Sequence, residues 1–418
     1  MHIAIIGYGT GGQAAAVALS RDGHRVDVFE QAPAPGPVGA GFLLQPTGLS
    51  ALWRMGLLDA ALAHGAPIAR LFGTSQGGRT VMDMRYRELD PRLFGLGLQR
   101  GALFGLLDAA WTEQRSLHAG RRIVSIDADA GVVHDDAGES HGAYDLIIVA
   151  DGANSRLRTA VAPPAFDRPY PWGAHWCLVP ARDWEFADEL QQRYVGARRM
   201  AGMLPVGTRP GDPTPRVSFF WSVRTDAFDT AHDADQWRRD VASVWPEAAD
   251  ALCDTQVPGG LAVARYRDVV QTRWHRGRAV LLGDSAHAMS PQLGQGANMA
   301  LLDALALRDA LRAHPHLPEA FAAYEQARRA HVAIYHVWSR WLTPLFQSEH
   351  DRLAAVRDRV FHPLNRLPGS KGQSLRVLAG TQCGWFGTVR LDEEFLEALV
   401  LSSPRDPGQQ PATGVRPA

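Results

Sequence analysis

The residues near the start of the chain that are best placed to do chemistry are a set of glycines and one carboxylate. Gly7-Tyr-Gly9-Thr-Gly11-Gly12 matches G-x-G-x-x-G and stands between the apolar run Ile3 to Ile6 and an Ala/Leu-rich helical stretch. Gly7 permits a tight turn, Gly9 lets a pyrophosphate approach the backbone, and Gly12 lets helix and strand pack closely. The helix N-terminus offers unpaired N–H groups and partial positive charge to the phosphates. Glu30 closes the next strand-like run, Arg25 to Glu30. A carboxylate there accepts hydrogen bonds from ribose hydroxyls and repels a 2′-phosphate. The expected ligand is an ADP moiety, from FAD or NAD but not NADP.

Later segments separate the two dinucleotides. Gly39-Ala-Gly41-Phe-Leu-Leu-Gln-Pro46 follows the first strand-helix-strand unit, and Arg100 opens a helical stretch carrying Leu103 and Leu107. Ala150-Asp151-Gly152-Ala-Asn-Ser155-Arg-Leu-Arg158 comes next. Gly277-Arg-Ala-Val-Leu-Leu-Gly283-Asp284-Ser-Ala-His287 then leads into Pro291-Gln-Leu-Gly294-Gln295-Gly296-Ala-Asn298 and Asp303-Ala304. In this order, over roughly residues 2 to 330, the chain resembles the para-hydroxybenzoate hydroxylase-like (group A) FAD-dependent aromatic monooxygenases. Tyr324, Glu325 and Arg328 extend the likeness. Ser285, where Ala is commoner, and Val149, where Gly is usual, depart from it.

The resemblance implies non-covalent FAD held by Gly7, Gly9, Gly12, Glu30, Gly41, Arg100, Asp151, Asp284, Gly294, Gln295, Gly296 and Asn298. It places Gly41 beside the isoalloxazine, Arg100 at the phosphates or ribitol, and the Asp284 carboxylate on the ribitol 3′-hydroxyl. The Asp151-Gly152 segment is associated with both FAD and NAD(P)H, and no second G-x-G-x-x-G follows a strand. The implied reaction resembles the family's. NAD(P)H reduces FAD, O2 adds at flavin C4a, and the hydroperoxide oxygenates an electron-rich small molecule. The protein's part is positioning and exclusion of water.

That part needs an apolar pocket, for which Trp176, Met203, Leu204, Pro205, Phe219, Trp221 and Pro291 are the candidates. No general base stands out: His175 and His287 receive no catalytic role, because the flavin carries the chemistry. A halogenase is disfavoured, since Trp176-Cys-Leu-Val-Pro180 lacks the Trp-x-Trp-x-Ile-Pro signature and no Lys follows the first Gly-rich unit. A flavin-dependent reductase, dehydrogenase or epoxidase of the same fold stays open, as does a non-catalytic flavin-binding chaperone of a pathway intermediate.

The elements that must hold these residues read as α/β: a Rossmann-like, glutathione-reductase-like FAD-binding domain, an interleaved antiparallel-sheet substrate domain, and C-terminal helices. Short β-branched runs such as Asp145 to Val149 suit buried parallel strands. Between about Pro163 and Gly260 aromatic residues alternate, as in Val217 to Val223, which implies antiparallel sheet. A single helix is expected from Thr47 to Leu62 and long helices from Asn298 to about Val360. The expected division assigns 1–68, 98–166 and 268–330 to the FAD-binding domain and 69–97 with 167–267 to the substrate sheet. Residues 331–402 form a helical C-terminal region and 403–418 a disordered tail.

Composition excludes several classes. With 43 Lys plus Arg against 44 Asp plus Glu, no basic field points to nucleic acid. Cys177, Cys253 and Cys383 share no metal-ligand spacing, and their odd number opposes a disulfide framework, so no metal is expected. Reduced thiols and the absence of a signal segment or spanning run suggest a soluble cytoplasmic protein. Trp338 and Trp341, within 337–346, are expected to pack against the FAD-binding domain rather than a membrane, because no basic amphipathic face accompanies them.

Overall fold

The computed structural model describes residues 1–37, 39–182, 184–228, 234–252, 261–367 and 369–402. Its first layer is a six-stranded sheet ordered His275–Arg276, Ala279–Leu281, Leu146–Val149, His2–Ile6, Arg25–Glu30 and Ser116–Ala119. All its pairings are parallel except the first, between His275–Arg276 and Ala279–Leu281. Leu146–Val149 and Ala279–Leu281 are buried at every position, as strands covered on both faces require. The helices Thr10–Ser20 and Gly296–Ala313 pack together beside this sheet. This is the expected Rossmann-like layer.

The second large sheet has seven strands: Ala262–Gln271, Pro164–Pro180, Asp212–Arg224, Arg199–Arg209, Glu189–Val195, Arg70–Ser75 and Thr80–Arg85. Its pairings are antiparallel apart from Glu189–Val195, which runs parallel to Arg70–Ser75. One face joins the core of the Rossmann-like layer. The other carries a separate apolar cluster with Trp237, Val241, Trp245 and Ala248 from the helices Ala234–Val244 and Pro246–Ala251. A three-stranded sheet of Gly41–Leu44, Gly95–Gln99 and Ala66–Ile68 couples the two layers. The fit there is close: a Cβ on Gly97 would lie 1.9 Å from the Pro205 carbonyl oxygen.

Two expectations need correction. The stretch 47–62 is two helices, Pro46–Arg54 and Leu58–His64, because Gly56 takes φ +67° and turns the chain between them. Trp338 packs against the core, but Trp341 is 62% exposed. Both lie on one side of the long helix Leu317–Phe346 with their rings in edge contact at 5.9 Å, so Trp341 packs on Trp338 while most of its indole stays in solvent. The expected tail 403–418 and Cys253 lie outside the described residues; Cys177 and Cys383 are free thiols. No helix among the described residues is long and apolar enough to cross a membrane.

Candidate cofactor and substrate site

Parallel strands end on one edge, so their C-terminal residues gather there by topology alone. Gly7 follows His2–Ile6, Glu30 ends its strand, Asp151 follows Leu146–Val149, and Asp284 follows Ala279–Leu281. The strands ending at Glu30 and near Asp284 are three inter-strand steps apart, roughly 14 Å. The two carboxylates thus flank one edge.

Between them the backbone is tightly made. Gly7 has φ +102°, and a Cβ on it would sit 2.5 Å from the Ala150 carbonyl oxygen. One on Gly12 would sit 1.9 Å from the Gly7 carbonyl oxygen, whereas one on Gly9 would meet no protein atom within 4 Å. The outer glycines are therefore required by the protein's own packing, and Gly9 faces open space where a ligand can approach. The Glu30 carboxylate accepts hydrogen bonds from the backbone N–H groups of Tyr8 and Ala32, both at 2.8 Å, which fixes it against the Gly-rich turn.

At the other end, Asp284 is exposed at the start of the short helix Asp284–His287. The N-terminus of Gly296–Ala313 stands close by, with the Gly296 Cβ position 3.9 Å from Asp284 Oδ1. Behind this turn lies a buried ionic network. Asp303 accepts from the Gly283 N–H at 3.0 Å, pairs with His287 Nε2 at 2.6 Å, and accepts from Arg328 Nε at 2.7 Å. Burial alone would raise the Asp303 carboxyl. The charges of His287 and Arg328 and their hydrogen bonds outweigh it and hold the group at about 2. Arg328 Nη1 donates to His331 Nδ1 at 2.6 Å, and His331 Nε2 donates to the Gly380 carbonyl at 2.7 Å. Burial, reinforced by Arg328, lowers His331 to about 3 and keeps it neutral.

Asp151 Oδ1 is buried without a hydrogen-bond partner, as is Nε of Arg158, whose Nη1 faces Asp167 Oδ2 at 3.6 Å. Burial raises the Asp151 carboxyl against the lowering hydrogen bond from Ser155. Such unsatisfied polar atoms beside a Gly-rich cleft fit a polar ligand. Arg100 reaches the same cleft, lying along Gly39 and over the Phe42 ring at 5.7 Å. Burial lowers its guanidinium, opposed by the Asp284 carboxylate.

Other candidates are occupied by the protein itself. Asn298 Oδ1 accepts from the Gln45 N–H at 2.9 Å and its Nδ2 donates to the Gly294 carbonyl at 3.1 Å. Gln295 Nε2 turns away to the Leu378 carbonyl at 3.1 Å. Gly41 is a packing glycine: its Cβ position is 2.5 Å from Val206 Cγ1, and its N–H donates to Ser218 Oγ at 3.2 Å. What these three have left for a ligand is chiefly backbone, or in Gln295 the unpartnered Oε1.

The pocket candidates divide between the two faces of the sheet. Cys177 pairs with Phe219 and Phe219 with Met203; His175 pairs with Trp221. Met203, Phe219 and Trp221 lie in the outer cluster against Trp237 and Trp245, away from the cleft. Their placement corrects the expected pocket, because alternation turns neighbouring residues to opposite faces. Trp176 and Leu204 lie on the inner face, where the sequence reading missed Phe220 and Ser218. Pro205 is buried in the strand beside Gly97, and Pro291 is half-buried at the start of a single 3-10 turn. Tyr266 was also missed: its neighbour Arg265 lies over the Phe228 ring on the outer face, so Tyr266 points inward. Burial raises its phenol to about 12, opposed by Trp176 and Arg100. His175 lies against the Phe228 ring at 5.3 Å, tilted by 47°, on the outer face, and His287 is held by Asp303, so neither faces the cleft as a base.

A protein-family model described as FAD binding domain matches residues 1–336. A probable 2-heptyl-3-hydroxy-4(1H)-quinolone synthase of Rhodococcus erythropolis is 30% identical, over 87% of this chain and 91% of its own. A kynurenine 3-monooxygenase of Salinispora arenicola is 31% identical, over 80% and 77%. The crystal structure of Klebsiella pneumoniae HpxO with FAD and uric acid superposes with a TM-score of 0.76 at 24% identity, covering 90% of this chain and 96% of that one.

Proposed function

Because this chain belongs to the FAD-binding family of para-hydroxybenzoate hydroxylase-like (group A) aromatic monooxygenases, we propose that it oxygenates a nitrogen-bearing, electron-rich aromatic ring with NAD(P)H as reductant. It is an FAD-dependent enzyme that uses O2 to hydroxylate an aromatic substrate. Bound FAD supplies the reducing and oxygen-activating chemistry. The remaining work falls to side chains: binding, orienting the ring and keeping water out.

The observation that carries the reading is the seat of the segment 39–45. Gly39 and Phe42 lie against Arg100, and the Gly41 N–H donates to Ser218 on the inner face of the antiparallel sheet. The Gln45 N–H donates to Asn298 at the helix N-terminus beside Asp284. The carboxyl edge of the parallel sheet and the inner face of the antiparallel sheet therefore open onto one cleft. Glu30 would hold the adenosine ribose, Gly9 and the adjoining helix N-terminus the pyrophosphate, and Asp284 the ribitol. Trp176, Leu204 and Phe220 form the apolar wall, and neutral Tyr266 offers a hydrogen bond to an oxygen on the ring. Quinolones, kynurenine-like anilines and urate-like heterocycles are the substrate class, in line with what the named relatives make, act on or bind.

The test is a screen of these compounds for stimulated NADH or NADPH oxidation, followed by mass spectrometry of product formed under 18O2. The reading expects at least one compound to accelerate oxidation and to gain one labelled oxygen. Accelerated oxidation with unlabelled product would instead assign a reductase.

A further inference from the structure

The helix Asp351–Asn365 carries an apolar row that the described residues leave uncovered. Leu353, Val356, Val360 and Leu364, with Leu367 just past its end, are 41 to 58% exposed. Their spacing of three or four residues places them on one stripe about 21 Å long. Arg352, Arg359 and Arg366 recur every seven residues along the border of that stripe, all exposed. None forms an ion pair with a described residue. The nearby acids are already neutralised: Asp351 by Arg198 at 3.1 Å, Asp358 by Arg357 at 2.6 Å, and Glu349 by Arg224. The helix therefore presents apolar side chains edged by uncompensated positive charge.

It is held in that attitude. Buried Arg357, four residues after Leu353 and at the border between the stripe and the helix's buried face, donates to the carbonyls of Leu345 at 2.7 Å and Gly196 at 3.1 Å. Its guanidinium lies over the rings of Tyr194 and Phe346 at 4.9 Å each. The stripe is thus a fixed surface feature of a docked helix.

We infer that this helix is a docking face for an anionic lipid surface, with the five apolar side chains entering the interface and the three arginines meeting headgroup phosphates. Charge selects this occupant. A second copy of the chain, pairing antiparallel along the stripe, would set the arginine row against its own image. The segment 403–418 carries two arginines to one aspartate and offers no complementary charge. A specific protein partner needs about 800 Å2 on each side, more than a single row of half-exposed side chains provides. A bilayer needs only shallow apolar insertion and negative charge, and long arginines reach its phosphates while their stems stay in the apolar region. The inference is independent of the substrate reading.

Full-length FAD-loaded protein should co-sediment with phosphatidylglycerol/phosphatidylcholine vesicles at low salt, weakly with phosphatidylcholine alone, and poorly once salt screens the charges. Val356→Ser with Val360→Ser, and separately R352E/R359E/R366E, should each lower vesicle partition at least tenfold, with FAD content and turnover in solution unchanged. Absence of phosphatidylglycerol binding overturns the inference, as does binding that survives either set of substitutions. A loss of self-association in the serine variant without vesicle binding would assign the stripe to a second copy. Equal capture of wild type and serine variant by polyglutamate and by vesicles would reduce the effect to bare electrostatics.

Discussion

At the residue scale, Asp303 shows how a buried charge can support a site it does not enter. Its carboxylate fixes the Gly283 N–H, and through it the turn that presents Asp284. Asp303→Asn leaves Arg328 and His287 without their counter-charge, and the expected cost is about 3–5 kcal/mol. Urea titration of the FAD-loaded protein checks this; a loss below about 1 kcal/mol would show the network to be dispensable. The pH dependence has a definite sign. The folded carboxyl sits at about 2, below its ordinary 3.8, so its contribution is fully present above about pH 4 and is lost as pH falls toward 2. That contribution is about 2 kcal/mol, and the Asn variant should lack this part of the acid transition. Neither this network nor Tyr266 was legible in the sequence. Asp303 and Arg328 could be read as motif positions, but their partnership spans 25 residues and two helices. The Gly-rich turn, Glu30 and Asp284 were legible because strand, turn and helix are adjacent in the chain.

At the scale of elements, the seven-stranded sheet separates two functions by parity. Residues facing Trp237 and Trp245 pack against the outer helices, and their neighbours face the core of the Rossmann-like layer, where the proposed substrate wall lies. Phe219→Ala should cost about 3–5 kcal/mol in stability with the KM for substrate little changed. Trp176→Ala should raise KM and divert reducing equivalents to H2O2, with a smaller loss of stability. Thermal melts, steady-state kinetics and peroxide assays distinguish the pair, and the reverse pattern would reverse the assignment of faces. The alternation itself was readable in Val217 to Val223. Which face meets the cofactor cleft was not, because that depends on the docking of Gly41 against Ser218 and Val206 from a strand more than 160 residues earlier. The single helix expected over 47–62 failed for a local reason: apolar periodicity continues across Gly56 while its left-handed backbone does not.

At the scale of the whole molecule, the C-terminal helices brace the cofactor layer. Gly380 accepts from His331, Leu378 from Gln295, and Val377 from Tyr335 at 3.0 Å. A Cβ on Gly380 would lie 2.0 Å from Thr47 Oγ1. A chain ending at Leu367 should lose retained FAD on gel filtration and melt at lower temperature; unchanged FAD content would show the brace to be unnecessary. No motif announced this role, since the contacts are made to backbone carbonyls that any sequence supplies.

The convergence of Glu30 and Asp284 on one dinucleotide is tested most directly by titrating apo-protein with FAD and with ADP. Each carboxylate is expected to make charge-assisted hydrogen bonds to a different part of FAD, worth about 1.5–3 kcal/mol or roughly ten- to a hundredfold in affinity. Glu30→Ala should therefore weaken both ligands, and Asp284→Ala should weaken FAD while leaving ADP near wild type. Wild-type FAD affinity in either variant would contradict the account.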